Sequence, residues 1–297
     1  MSLQSNVFQM VSRNSIKRQG LDQQQTVKHL RFVFNNVPNI TLLPKDIRVH
    51  RINTPEFRGE RVTVRNPEIT VLYFHGGAFV GGRTKTYHNF ASRLAKKLNA
   101  EVYLATYPFA PEHTFPAASD RCLQAYQYLL SQGKDASNIV IAGDSAGGGL
   151  TLSTLLKIRD CKLPMPRCAI TMSPASCCFP DQQMIEKHCK TDAMLTADFV
   201  RNVIKTYVPN ESDRDHPYAS PAKGNFEGLP PIMITVSKDE VLYGDALKVK
   251  NRAEEAGVEI EWLARSGVFH VWPIMVPFVP EANRDINKIT RFIKRYH

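Results

Sequence analysis

Short apolar runs alternate with stretches of helical period from residue 69 onward, and this alternation constrains the fold more than any other feature. Residues 69–74, 102–106, 139–142, 168–172 and 232–236 are nearly continuous in apolar side chains. Between the first four lie stretches with helical spacing over 87–98, 117–130 and 146–158. A strand that is apolar on both sides needs cover on both faces. The rhythm therefore predicts an α/β fold, with a mostly parallel central sheet flanked by helices. Alternating segments before it, Ile47-Val49-Ile52 and Val62-Val64, suggest further strands, and residues 258–263 suggest one more.

Two intervals depart from the rhythm. Near the start, Leu3, Val7, Met10 and Val11 recur at helical spacing, and Val27, Leu30 and Phe34 do so again after Asp22. Asp22 with Gln25 reads as a capping box, and Pro38 and Pro44 stop helical order. Residues 181–216 also read mainly as helix, with Thr196-Ala197-Asp198-Phe199 opening a stretch rich in Val200, Val203, Ile204 and Tyr207. The expected organisation is an α/β body over 45–180 and 217–297. Residues 1–44 and the insertion 181–216 supply a helical cap over the sheet's carboxyl edge, where such folds bind ligands.

Composition narrows the function. With 43% hydrophobic and 22% charged residues in 297, the chain is an ordinary globular protein able to bury a full core. No apolar run reaches the length of a membrane span, so no stable membrane insertion is expected. Residues 1–20 lack the continuous apolar stretch of a secretory signal. Six cysteines, at 122, 161, 168, 177, 178 and 189, form no C-x-x-C pair, which fits reduced thiols in a cytoplasm. No metal-ligand spacing is visible. The net charge is +10, and residues 1–51 carry eight Lys or Arg against Asp22 and Asp46, or +6. Those cations are interspersed with apolar residues, as on a solvated helix face, and no nucleic-acid reading motif accompanies them.

The sharpest chemical signal is Gly143-Asp144-Ser145-Ala146-Gly147, a G-x-S-x-G between an apolar strand and a helix. So tight a turn has no room for side chains around the serine, and it lifts the hydroxyl onto a helix N-terminus that favours developing negative charge. A second strand, 71–74, runs into His75-Gly76-Gly77-Ala78-Phe79. Backbone N–H groups exposed by that turn, joined by the Ala146 N–H, are suited to an oxyanion. His75 reads as a brace for the loop rather than a base.

A serine hydroxyl needs a base, and the base an orienter, in the chain order Ser, Asp or Glu, His. Of His188, His216 and His270, the first two fall in or beside the cap insertion. His270 follows the strand-like 258–263 and a loop holding Gly267, where the base belongs. The acid is expected one strand earlier, after 232–236, in Ser237-Lys238-Asp239-Glu240. Asp239 is preferred over Glu240 and Asp245, with the N-cap of a following helix as its alternative role.

Taken together, these motifs resemble the hormone-sensitive-lipase-like branch of the α/β-hydrolases, the α/β-hydrolase-3 family of microbial esterases. Supporting them are Tyr107-Pro108-Phe109-Ala110-Pro111-Glu112-His113, Phe115-Pro116-Ala117-Ala118, Tyr218-Ala219-Ser220-Pro221 and Gly228-Leu229-Pro230-Pro231, in the family's order over roughly residues 65–275. The resemblance implies an α/β-hydrolase fold with an N-terminal helical cap and no cofactor. It implies a serine carboxylesterase with Ser145 as nucleophile, His270 as base and Asp239 as its partner. The oxyanion hole falls on the Gly77, Ala78 and Ala146 amides, with Gly76 shaping the turn. Three departures stand out: Ala78 replaces a third glycine, Glu240-Val241-Leu242 follows Asp239 where Asp-Pro-Leu is usual, and Val271-Trp272 follows His270 where Gly-Phe is common.

The expected reaction is hydrolysis of small-molecule esters through an acyl-enzyme. Bulky Phe79 and Trp272 near the site suggest acetyl to hexanoyl chains. An amidase or deacetylase on the same triad is the alternative within enzymes. A non-catalytic small-molecule-binding protein on this scaffold is the rival from another class, disfavoured because His270 is present. Relatives often dimerise, which leaves a homodimer open.

Overall fold

The computed structural model describes residues 1–36 and 40–296; the expected helix stop at Pro38 lies outside the described residues. Among the described residues the chain forms one eight-stranded sheet. Two helices precede it, α1 (Leu3–Ser15) and α2 (Gln23–Asn36). Then follow β1 (Arg48–Asn53), β2 (Arg58–Thr63), β3 (Ile69–Phe74), α3 (His88–Leu98), β4 (Ala100–Ala105), α4 (Ala117–Ser131), β5 (Ile139–Asp144), α5 (Ala146–Asp160) and β6 (Cys168–Met172). The remainder is α6 (Gln182–His188), α7 (Ala197–Tyr207), β7 (Ile232–Ser237), α8 (Tyr243–Glu255), β8 (Ile260–Arg265) and α9 (Pro280–Arg295).

The strand order is β1-β2-β4-β3-β5-β6-β7-β8. The pairs β1–β2 and β2–β4 are antiparallel and all others parallel. Strands β3 to β7 are buried at every residue, as their largely apolar runs require once helices cover both faces; buried Glu101 in β4 is paired with Lys134. Alternation along them divides the core in two. Leu72, Phe74, Ile139 and Ile141 pack with α4, α5 and α8 on one face. Val71, Tyr73, Val140 and Ala142 pack with α3 and α9 on the other.

At the N-terminus the expected capping box forms: the Gln25 N–H donates to Asp22 Oδ1 at 2.8 Å and the Asp22 N–H to Gln25 Oε1 at 3.1 Å. Val27 and Leu30 turn inward, as their spacing suggests. Within 181–216, α7 is capped by Thr196, whose hydroxyl accepts from the Phe199 N–H at 3.1 Å. The two irregular intervals touch. Asn202 Nδ2 on α7 donates to Leu21 O and Thr26 Oγ1 at α2, at 2.8 and 2.9 Å. Lys17 Nζ donates to the Cys189 and Asp192 carbonyls at 2.7 and 2.6 Å.

Helix α1 is the exception to inward-facing apolar stripes. Its helical spacing is real, yet Leu3, Val7, Met10 and Val11 all face outward, while Ser5 and Ser12 are buried.

Candidate active site

Ser145 sits between β5 and α5 with φ 52° and ψ −119°, a backbone region that side chains rarely occupy. The surrounding glycines explain how so sharp a turn closes. A Cβ on Gly147 would lie 1.9 Å from the Phe74 carbonyl oxygen, and one on Gly143 would lie 2.3 Å from that of Gly147. The Ser145 hydroxyl donates to His270 Nε2 at 2.9 Å. His270 lies in the loop after β8 and is 4% exposed.

The carboxylate facing His270 is not the expected Asp239. His270 Nδ1–H donates to Glu240 Oε2 at 3.2 Å, with Glu240 only 1% exposed. Asp239 points elsewhere: its Oδ2 accepts from the Gly267 N–H at 2.6 Å, so it neither reaches His270 nor caps α8, and instead pins the loop that carries the histidine. The physical reason lies in the turn after β7. The Val241 N–H donates to Asp192 Oδ2 at 2.8 Å, while Asp192 Oδ1 accepts from the Met194 and Leu195 amides. That anchor rotates Glu240 inward and leaves its neighbour at the rim. A signal existed in the sequence. Where Asp-Pro-Leu is usual this chain has Glu240-Val241-Leu242, so a carboxylate is kept at position 240.

One further residue escaped sequence reasoning. Ser173, after β6, donates to Glu240 Oε2 at 3.0 Å and accepts from the Val271 N–H at 3.2 Å. It joins Glu240 to the residue next to His270. No motif marks it; only the parallel register of β5, β6 and β7 brings it there.

Burial alone would pull the His270 pKa down. The facing Glu240 carboxylate and its hydrogen bond outweigh that, helped by Asp192 and Asp144, and the net shift is upward.

Beside Ser145, the 75–79 turn is held by the motif aspartate. Asp144 Oδ1 accepts from the Gly76 N–H at 2.9 Å and the Tyr73 hydroxyl at 2.8 Å, and Oδ2 from the Tyr87 hydroxyl at 3.0 Å. Burial pushes this carboxyl up to about 6 despite those donors. The Gly76 N–H is thus committed to holding the turn rather than facing an oxyanion. Among the described residues the Gly77, Ala78 and Ala146 N–H groups have no recorded protein acceptor. Gly77 has φ +134°, and a Cβ there would lie 2.0 Å from the Gly81 carbonyl oxygen. Ala78 stands at φ 55°, so the alanine that replaces the family's third glycine is held in a strained backbone. His75 is buried and neutral, drawn down to about 4 by burial, with Nδ1 donating to the Gly76 carbonyl at 2.7 Å and its ring stacked on Tyr107. It braces the loop and takes no part with Ser145.

A cavity of about 50 Å³ opens beside Ser145, Ala78 and Ala146. Its walls are apolar side chains of α7, among them Phe199, Val203 and Tyr207, together with Phe79, which stacks on Tyr207 at 3.8 Å between ring centres. Asp245 also lines it, and burial raises that carboxyl to about 7. Trp272 does not line it. The expectation from its position beside His270 fails because Val271, at φ 54°, turns the chain away. Trp272 is fully buried on the α9 face, with Nε1 donating to Asp285 Oδ2 at 2.9 Å. Among the described residues no group of His, Cys, Asp or Glu is arranged to hold a metal ion.

A fold of this order with a serine on a strand–turn–helix elbow defines a hydrolase class, and comparison with known proteins agrees. The α/β-hydrolase-3 family model, described as an alpha/beta hydrolase fold, matches residues 71–274. An acetyl-hydrolase of Streptomyces hygroscopicus is 34% identical over 226 residues, covering 76% of this chain and 75% of its own. An esterase of Acinetobacter venetianus is 29% identical over 83% of this chain and 82% of its own. Among solved structures, EstE5, soaked with p-nitrophenyl butyrate, superposes with a TM-score of 0.91 at 30% identity, covering 100% and 99% of the two chains. An esterase from the bacterial hormone-sensitive lipase family gives 0.90 at 26% identity, with the same coverage. The chain belongs to the α/β-hydrolase-3 family, in its hormone-sensitive-lipase-like branch. By class it is a carboxylic ester hydrolase.

Proposed function

We propose that the protein hydrolyses short-chain acyl esters through a Ser145–His270–Glu240 triad and an acyl-enzyme. The observation that carries this reading is the continuous chain of bonds from the Ser145 hydroxyl through both nitrogens of His270 to the buried Glu240. A carboxylate only accepts, so Nδ1 holds the proton and Nε2 is free to take that of Ser145 as it attacks the ester carbonyl. The imidazolium then forms facing Glu240, and passes its proton to the departing alcohol. Water repeats the sequence on the acyl-enzyme. Free N–H groups on Gly77, Ala78 and Ala146, at the start of α5, would stabilise the oxyanion in both steps.

The narrow apolar cavity, closed by Phe79 and α7, supports acyl chains from acetyl to hexanoyl. Contacts between residues 1–44 and 181–216 support their acting as one helical cap over this cavity. The test is hydrolysis of p-nitrophenyl acetate, butyrate, octanoate and palmitate beside Ser145→Ala. Fast turnover of the shorter esters, lost by orders of magnitude in the variant, is expected. Equal turnover by the variant would remove Ser145 from the mechanism, and a preference for palmitate would refute the short-chain reading.

A further inference from the structure

Helix α1 is built inside out for a helix resting on a protein. Ser5 and Ser12 face the body, where the neighbouring Ser2 donates through its N–H and hydroxyl to the Glu281 carboxylate at 2.8 and 2.7 Å. Phe8 stacks on Phe269 with ring centres 5.8 Å apart. These contacts hold the helix in place, and the stripe of Leu3, Val7, Met10 and Val11 is left on the outside, each at least 45% exposed. At 100° per residue the four side chains span about 100° of the helix, a full apolar face. Of the ten large hydrophobic side chains that are exposed among the described residues, nine lie within residues 1–43. Exposure on that scale marks a contact surface rather than scattered single residues.

The charge on the same segment indicates what covers it. Residues 1–20 carry Arg13, Lys17 and Arg18 and no carboxylate. Lys17 is engaged with two carbonyls of the body, and Arg13, which flanks the stripe on α1, reaches the Thr191 carbonyl at 3.3 Å. Both keep their charge beside the stripe, while Arg18 stands exposed just beyond the helix. A second copy of this chain would bring another +10 against it, including another +6 on the same segment, and repel it. An anionic bilayer supplies apolar depth for the stripe and negative charge for its rim. That is the arrangement of a helix lying in the membrane interface.

We propose that the outer face of α1 docks peripherally on an anionic lipid surface. Docking needs no unfolding, because the inner face of α1 is already paired with the body. It also needs no spanning segment, and no helix among the described residues is long and apolar enough to cross a membrane.

The experiment is co-sedimentation of the full chain with vesicles of phosphatidylcholine alone or mixed with phosphatidylglycerol. It is run at about 0.05 M and about 0.5 M salt, where screening of exposed charge differs strongly. Val7→Glu combined with Met10→Glu is the variant. Expected is at least about tenfold stronger partition onto anionic vesicles at low salt, lost at high salt and lost in the variant. The variant's thermal melt and its hydrolysis of soluble p-nitrophenyl butyrate should be unchanged, since both side chains point away from the body. Equal partition onto neutral and anionic vesicles, or equal binding by the variant, would overturn the proposal. So would a concentration-dependent dimer that the variant abolishes, which would assign the stripe to a second copy.

Discussion

Exchanging Glu240 for glutamine tests the triad at its most specific point. The substitution keeps shape and removes charge. A glutamine either offers His270 Nδ1–H a neutral oxygen, or turns its amide and forces the proton onto Nε2, which then cannot accept from Ser145. Both outcomes leave the imidazolium without a buried counter-charge at 3.2 Å. Loss of the acid from a serine triad costs about 10³- to 10⁴-fold in kcat, or roughly 4 to 5.5 kcal/mol of transition-state stabilisation. Asp239→Asn is the matched control. Its amide oxygen still accepts from the Gly267 N–H, so a loss under about threefold, below roughly 1 kcal/mol, is expected. The assay is steady-state hydrolysis of p-nitrophenyl butyrate across pH, with a thermal melt to show that each variant is folded. The pH profile adds an independent reading. Activity requires neutral His270, whose pKa is raised above the ordinary 6.5 by Glu240 against the pull of burial. The acid limb of the parent therefore lies above 6.5, and in Glu240→Gln, where only Asp192 and Asp144 still oppose burial, it should move to lower pH. A thousandfold loss in Asp239→Asn with Glu240→Gln active, or a limb that does not move, would refute the assignment.

Other expectations follow from single contacts. Ser173→Ala removes the donor to Glu240 and the acceptor for the Val271 N–H, so kcat should fall about tenfold with KM little changed, as for a positioning residue. Gly147→Ala would drive a Cβ into the Phe74 carbonyl, and a urea melt should show a loss of about 3 kcal/mol or more. Trp272→Phe deprives Asp285 of one donor while Arg265 keeps its two bonds at 2.8 and 2.7 Å. A loss of about 2 kcal/mol in the same melt is expected, with chain-length preference unaltered. A changed preference would return Trp272 to the pocket.

How far the sequence was readable depended on whether the deciding forces were local. Strands β3 to β7 announced themselves because burial on both faces favours nearly continuous apolar runs, broken only by partnered or small polar residues such as Glu101 and Thr171. The elbow was equally plain, since Gly143 and Gly147 stand where a Cβ would strike backbone. His270 could be found by elimination and chain order. Asp239 and Glu240 could not be separated by periodicity, because they follow the last residue of β7 and their directions are set by Asp192, nearly fifty residues away. Trp272 was misread because a left-handed Val271 reversed the side on which it emerges. For α1 the spacing disclosed a stripe but not its direction, since a period is the same whether it faces a core or a solvent boundary.

The backbone of Ser145 has a consequence for descent as well as for chemistry. At φ 52° and ψ −119° a glycine would rest easily where a serine is strained by about 1–3 kcal/mol. Selection for folding alone would therefore replace the nucleophile, and only selection for turnover retains it. A descendant that kept this scaffold for binding would gain stability by exchanging position 145 for glycine. The residue found there thus records whether a lineage still earns its living by hydrolysis.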